Sequence, residues 1–472
     1  MTAEAMETGP RAGSATGGGP SPLDHGRESA GERPLRIALL TYKGNPFCGG
    51  QGVYVRHLSR ELARLGHHVE VIGSQPYPVL DPVDDRVTLT ELPSLDLYRQ
   101  PDPFRTPGRD EYRDWVDALE VATMWTGGFP EPLTFSLRAR RLLAARRGDF
   151  DVVHDNQTLG YGLLGGPRAI GAPLVTTVHH PITVDRRLEL EAAEDWKRRA
   201  SVRRWYAFTR MQKRVARRLP SVLTVSGSSR QEIVDDLGVR ADRVHVVHIG
   251  ADTDLWSPDR SIPEVPGRIV TTSSADVPLK GLVFLVEALA KLRTEVPDAH
   301  LVVVGRRAED GPVAQAIERY GLDGAVRFVK GVSDRELVDL VRGAQVACVP
   351  SLYEGFSLPA AEAMATGTPL VATTGGAIPE VAGPDGETCL AVPPGDAGAL
   401  AAALGRLLGP GGDELRARLG AAGRARVLDR FTWARAAEGT AEHYRAAVAA
   451  AHAGARPGAP SPAPGARTLS PR

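Results

Sequence analysis

The sequence predicts an α/β protein of two Rossmann-like domains, each a doubly wound parallel sheet, facing each other across a central cleft. Three observations carry this reading. The chain has 472 residues, too many for one hydrophobic core, so two domains with tails is the natural division. Short apolar runs alternate with helical stretches, which is the pattern of βα units. That alternation is interrupted once, by a segment rich in Gly, Pro and Asp at residues 248–268, and then begins again.

The elements follow in order. Residues 1–34 are rich in Gly, Pro and Ser, lack the apolar stretch of a secretory signal, and read as a disordered tail. Arg36–Tyr42 (RIALLTY) reads as a buried parallel strand. A glycine loop follows, then VYVRHLSRELARLG, where Val53, Val55, Leu58, Leu62 and Leu65 share roughly one helical face and Gly66 is placed to stop the helix. HVEVIGS is the next strand, which completes a right-handed βαβ unit. Phe150–Gln157, Pro173–His180 and Ser221–Ser229 read as further strands, each ending in polar residues. Ligands of open α/β sheets bind at such carboxyl ends. The first domain is expected over residues 35–252, with residues 248–268 as the interdomain linker. The second, over 253–432, takes strands from RIVTTSS, AHLVVVG, VRFVKG, VACVPS and PLVATTGG, with helices near Leu282–Leu292, Val313–Tyr320 and Arg335–Arg342. A closing helix is expected over 433–451, and residues 452–472 read as a second disordered tail.

Composition excludes several classes. Lys plus Arg and Asp plus Glu are both 57, a balance that argues against a general nucleic-acid binder. Cys48, Cys348 and Cys389 are odd in number and widely spaced, so they suggest a reducing compartment and neither a disulfide framework nor a metal cluster. No stretch approaches the ~20 apolar residues of a membrane span. A cytoplasmic protein is expected. One segment, Lys197–Arg218, carries ten basic residues and no acidic one. It reads either as a solvated surface helix beside the cleft or as a dock for an acidic acceptor or an anionic membrane at its inner face. Trp205, Tyr206 and Phe208 within it suit core packing better than interfacial anchoring.

The stretch from Ser351 to Val381, SLYEGFSLPAAEAMATGTPLVATTGGAIPEV, is the most informative. A strand precedes it and a helix starts just after Leu358, with Pro359 suited to the first turn. Glu354 falls in the strand-to-helix loop and Glu362 one turn into the helix. Both face the region beside the helix N-terminus, where free N–H groups and a partial positive charge make an anion site. Phosphate oxygens could rest on those amides while the carboxylates accept hydrogen bonds from sugar hydroxyls. A nucleotide sugar has both parts. The spacing of two glutamates by itself reads first as helix capping.

The whole run from Glu354 to Glu380 closely resembles the signature of the family 4 glycosyltransferases, of the glycosyl transferases group 1 type, which have the GT-B fold. The resemblance extends over roughly Arg36 to Arg445. It implies a retaining hexosyltransferase that takes a nucleotide-diphosphate sugar as donor, with an acceptor hydroxyl on a small molecule, glycan or lipid-linked compound, and no cofactor or metal. Residue by residue, it implies that Glu354 contacts the donor sugar, that Glu362 contacts the ribose, and that the amides of Gly355, Phe356, Ser357 and Leu358 cradle sugar and phosphates. The loop CGGQGVYV resembles the family's N-terminal glycine loop, where Gly49 and Gly50 would let the backbone approach the diphosphate. That loop does not fit a G-x-G-x-x-G dinucleotide fingerprint or a Walker loop. TVHHP places His179, with His180 as the alternative, at the family's active-site histidine. VPLKG places Lys280 on the leaving diphosphate.

The sequence departs from the family at one point. The arginine usually found five positions before the lysine is Ala275 here. Arg306, after LVVVG, and Lys330, in VKG, are the candidates to replace that cation. No Asp-x-Asp lies near the proposed site. Two other readings stay open: another GT-B enzyme such as a phosphorylase or epimerase, and a non-catalytic sugar-nucleotide binding protein on a degraded transferase frame.

Overall fold

The computed structural model describes residues 33–44, 50–99, 101–191, 193–273, 277–307 and 310–454. The readings given above for residues 1–32 and 455–472, for Gly49 and for Ala275 lie outside them.

Two wholly parallel sheets organise the chain from Leu35 onward. The first lobe holds β1 Arg36–Thr41, β2 His68–Gly73, β3 Val87–Glu91, β4 Val152–Asn156, β5 Leu174–Thr177, β6 Val222–Thr224 and β7 Val244–Val246, in the order β3-β2-β1-β4-β5-β6-β7. The second holds β8 Val265–Thr272, β9 His300–Val304, β10 Val326–Val329, β11 Ala344–Val349, β12 Leu370–Thr373 and β13 Leu390–Val392, in the order β10-β9-β8-β11-β12-β13. Helices cover both faces, so the central strands are buried on both sides: all five residues of β4 are buried, with Val152 and Val153 at its start and His154, Asp155 and Asn156 toward the carboxyl end. Ile37 pairs with Val69 on one side and Val152 on the other. The strand order reverses between β1 and β4 and between β8 and β11. Each reversal is a switch point, where neighbouring connections leave to opposite faces and open a crevice at the strand carboxyl ends. This is the α/β architecture expected from the sequence.

Several local readings are corrected. Ser221–Ser229 is not one strand: β6 stops at Thr224 and Gly227–Glu232 is a helix. Ser226 caps it by accepting the Ser229 N–H at 3.0 Å, a local bond that competes successfully with the ladder. The strands expected to run to Gln157 and His180 end at Asn156 and Thr177. Segment 248–268 follows β7, runs into β8 and is packed in its first half. Ile249, Ala251 and Trp256 are buried, Ala251 bridges to Thr432, and β8 already begins at Val265. Lys197–Arg218 breaks into helices Trp196–Trp205 and Thr209–Ala216 around a short turn at Tyr206–Phe208. Its apolar side faces inward: Val202, Tyr206, Met211 and Val215 are buried, and Trp205 and Phe208 pack on Phe129 with ring centres 5.2 and 5.3 Å apart. The basic side chains at 203, 204, 210, 214, 217 and 218 point outward.

One apolar cluster crosses both lobes. It joins Tyr54, Leu58 and Val225 of the first to Phe356, Ala360 and Ile378 of the second through Trp256, Phe431, Trp433 and Tyr444. The helix Trp433–Gly454 starts on the second lobe and packs on the helix Gly50–Arg64 and on β4 and β5 of the first. Among the described residues, no helix is long and apolar enough to cross a membrane.

Candidate active site

A cavity of about 280 Å³ opens where the carboxyl ends of the two sheets face each other. The first lobe lines it with Gly50, Gln51, Gln157, His179 and His180; the second with Lys280 and the run from Glu354 to Pro359. Nine residues singled out from the sequence therefore meet here: Gly50, His179 and its alternative His180, Lys280, Glu354, Gly355, Phe356, Ser357 and Leu358. Gly50 is the first residue of its helix rather than part of a free loop. Glu362 lines a small adjoining cavity of about 10 Å³ beside Trp256, Thr271 and Thr272, and Pro359 borders both spaces. Arg306 and Lys330 do not line either cavity. They are exposed, beyond the ends of β9 and β10.

On the second lobe, Lys280 ends the turn Pro278–Lys280, and its Nζ donates to Glu354 Oε1 at 2.7 Å. Ser351 Oγ donates to the same oxygen at 2.7 Å, which leaves Glu354 Oε2 without a partner among the described residues. The backbone holds this carboxylate in place from behind. Ala377 donates its N–H to Glu354 O at 2.9 Å, and Gly376, at φ +61°, lies so close to that carbonyl that a Cβ would collide with it. Ser357 sits at φ +89°, a left-handed conformation that strains a non-glycine residue. It precedes the helix Leu358–Ala365 without capping it, so the first amides of that helix have no side-chain acceptor. Its buried hydroxyl has no partner among the described residues either. Burial, with Asp334 adding to it, pushes the Glu362 carboxyl up to about 7, and that carboxyl accepts no hydrogen bond among the described residues.

On the first lobe, the β4 and β5 ends build the opposite wall. His179 Nε2 lies 2.8 Å from Asn156 Oδ1, and Asn156 Nδ2 donates to Gln51 O at 3.4 Å, an arrangement that assigns the proton to Nε2 and leaves Nδ1 as an acceptor. Burial pushes His179 down to about 3, with His180 contributing, so the ring is neutral near pH 7. Gln157, at φ +57°, clamps the backbone of the pair: its Oε1 accepts the His179 N–H at 2.7 Å and its Nε2 donates to His180 O at 2.8 Å. His180 turns its own ring to Asp185, 3.1 Å away. Behind His179 stands Tyr54, edge-on with ring centres 4.7 Å apart. A buried relay fixes it: Tyr54 OH to Thr177 Oγ1 at 3.0 Å, Thr177 Oγ1 to His154 Nε2 at 2.8 Å, and His154 Nδ1 to Tyr444 OH at 2.5 Å.

Sequence reasoning did not pick out Gln51, Asn156, Gln157 or Ser351. Asn156 and Gln157 had a signal, since they are the polar end of the run FDVVHDNQ. Ser351 and Gln51 had none beyond their closeness to the motifs.

Two family models match the chain: Glycosyltransferase Family 4 over residues 48–255 and Glycosyl transferases group 1 over 266–409. An "MMP alpha-(1->4)-mannosyltransferase" of Mycolicibacterium hassiacum is 54% identical over 415 residues, covering 88% of this chain and 99% of its own length. A glycogen synthase of Mycobacterium tuberculosis is 29% identical over 420 residues, covering 88% and 95%. Among solved structures, a sucrose-phosphate synthase from Thermosynechococcus elongatus superposes with a TM-score of 0.66 at 24% identity, over 88% of this chain and all of that one, a likeness of fold. With two facing parallel-sheet lobes, matches on both, and a relative this similar over nearly its whole length, the chain belongs to the family 4 glycosyltransferases of GT-B fold.

Proposed function

We propose that this glycosyltransferase is retaining, and that it moves a mannosyl group from a nucleotide diphosphate to the 4-hydroxyl of a sugar acceptor. The observation that carries the reading is the cavity itself. An ammonium, an ordered carboxylate and the uncapped start of a helix come from one lobe, and a neutral histidine from the other. The relative's activity suggests the sugar and linkage.

Each group has a role that its surroundings support. Glu354 Oε2 accepts from a hydroxyl of the donor sugar, while Lys280 and Ser351 hold Oε1. Lys280 also faces the diphosphate and, with the amides at Ser357 and Leu358, stabilises the charge that grows there as the anomeric C–O bond breaks. Gly50 stands across the cavity, where no side chain obstructs the phosphates. Glu362, ionised above about pH 7, accepts from ribose hydroxyls. His179 Nδ1 accepts from a sugar hydroxyl rather than acting as a cation. The acceptor hydroxyl attacks on the face that the phosphate leaves, the leaving phosphate oxygen takes its proton, and an α-configured donor gives an α-linked product. No protein nucleophile is needed.

The test has two parts. A thermal-shift panel of UDP-, GDP- and ADP-mannose identifies the donor, since a ligand that binds only the folded state raises the midpoint. Product linkage and anomeric configuration are then read by NMR. Glu354→Gln should lower kcat/KM by about ten- to a hundredfold. A β-linked product, or a Glu354→Gln enzyme as active as the parent, would refute the reading.

A further inference from the structure

The helix Gly227–Glu232 of the first lobe meets the donor side of the second through a ring of hydrogen bonds that the roles above do not use. Glu380, in the short helix Ile378–Ala382, spans the cleft: its Oε2 accepts the Gly227 N–H at 2.7 Å and its Oε1 the Ser228 N–H at 2.8 Å. In the other direction, Gly355 O accepts from Ser226 Oγ at 2.6 Å and from Ser229 Oγ at 3.2 Å. The ring closes through the backbone, because Ala377, three residues before Glu380, donates to Glu354 O. Gly355 has little free space: a Cβ there would stand 3.3 Å from His179 O and 3.4 Å from Ser229 Oγ.

We propose that Glu380 and Ser229, with Ser226, are positioning residues that fasten the Glu354–Gly355 turn to the first lobe, so that closing the lobes and aligning Glu354 are a single event. Three features of the geometry support this. Both carboxylate oxygens of Glu380 are engaged, and both partners are backbone N–H groups of the other lobe, so the contact exists only when the lobes are together. The two serine hydroxyls converge on one carbonyl, and that carbonyl belongs to the residue after Glu354. The turn therefore feels the first lobe directly, within one peptide unit of the carboxylate that the proposed function assigns to the donor sugar. When the lobes are apart, the same turn keeps Lys280, Ser351 and Ala377, all from its own lobe, and loses only what the first lobe supplies. Donor binding to the second lobe should then survive the loss of the latch, and turnover should not.

Part of this rests on the proposed function and part does not, and the experiment separates them. Glu380→Ala, Glu380→Asp and Ser229→Ala are compared with the parent; Ser229→Ala leaves the Ser226 cap in place. The first measurement needs no substrate: small-angle X-ray scattering of the ligand-free proteins should show a larger radius of gyration for Glu380→Ala, with an unchanged thermal midpoint. The second uses the nucleotide-diphosphate mannose that the parent turns over. Glu380→Ala should lower kcat by roughly ten- to a hundredfold while the calorimetric donor Kd stays within about twofold, Ser229→Ala should show a smaller drop of the same kind, and Glu380→Asp should recover part of the loss. Unchanged scattering together with unchanged kcat would overturn the proposal. So would a midpoint that falls in step with kcat, because Glu380 would then be a fold-stabilising residue only. A parent that transfers some other sugar would refute the mannosyl reading and leave the latch to be judged on the same two measurements with that donor.

Discussion

Tyr444→Phe removes one oxygen from the centre of the molecule and leaves every ring in place. Tyr444 is fully buried, and its hydroxyl lies 2.5 Å from His154 Nδ1, itself fully buried. Burial pushes His154 down to about 3, so the ring is neutral, with one nitrogen that donates and one that accepts. Its Nε2 is occupied by Thr177 Oγ1. Without the Tyr444 hydroxyl, Nδ1 is left unpaired where no water reaches it. A buried polar group left unpaired in this way costs about 1–3 kcal/mol, which is about five- to 150-fold in the folded to unfolded ratio. The assay is urea unfolding followed by fluorescence: the midpoint should fall at unchanged slope, since the surface exposed is the same. A double-mutant cycle isolates the pair. In Tyr444→Phe, adding His154→Phe should cost less than it does in the parent, because the orphaned nitrogen leaves with it. A midpoint within error of the parent, or costs that simply add, would refute the reasoning.

Other consequences can be measured separately. Glu362, pushed up to about 7, should make the donor KM rise as pH falls below that value, and Glu362→Gln should flatten the dependence while weakening binding throughout. Gly376→Ala should lower kcat/KM by about tenfold or more and reduce stability, because its Cβ meets Glu354 O and the residue must adopt φ +61°. The buried histidines make the fold acid-sensitive: His154 stays neutral to about pH 3, while an unfolded histidine takes a proton near 6.5. Its stability contribution is therefore whole above about pH 6.5 and is lost as pH falls toward 3. Between pH 7 and 5 this amounts to about 2 kcal/mol, by which the acid-induced drop should shrink in His154→Phe.

The buried strands were legible because burial on both faces favours apolar residues over most of their length, with polar ones gathered toward the carboxyl ends. RIALLT, HLVVV and AQVACV are continuous apolar runs, and they became β1, β9 and β11. β3 was not, because VTLTE is mostly exposed and polar and is recognisable only by its pairing with β2. β7 and β13 are three residues each, below any usable period. The second lobe's share of the cavity was legible because its residues are consecutive: Glu354 to Leu358 follow one another in the chain and need no tertiary information to be grouped. The Lys280–Glu354 pair joins two motifs that were noticed separately, and nothing in either announced their 2.7 Å contact. Glu380 was inside the quoted stretch yet had no role there, since its partners lie 152 and 153 residues away. The apolar run VLTV leads into Ser226 and Ser229 and makes them look like a continuation of the strand. Their turn to a helix is marked by local hydrogen bonds, Ser229 N–H to Ser226 Oγ and Arg230 N–H to Ser226 O.

The final helix, Trp433–Gly454, carries Tyr444 into the first lobe. During synthesis the strands of the first lobe emerge from the ribosome well before the hydroxyl that completes its centre. Until then the groove between the helix Gly50–Arg64 and strands β4 and β5 is open to water, and His154 Nδ1 lacks its Tyr444 partner. A chain cut before Trp433 would keep all thirteen strands and every residue lining the cavity, yet it should emerge as an unstable first lobe tethered to a sound second one.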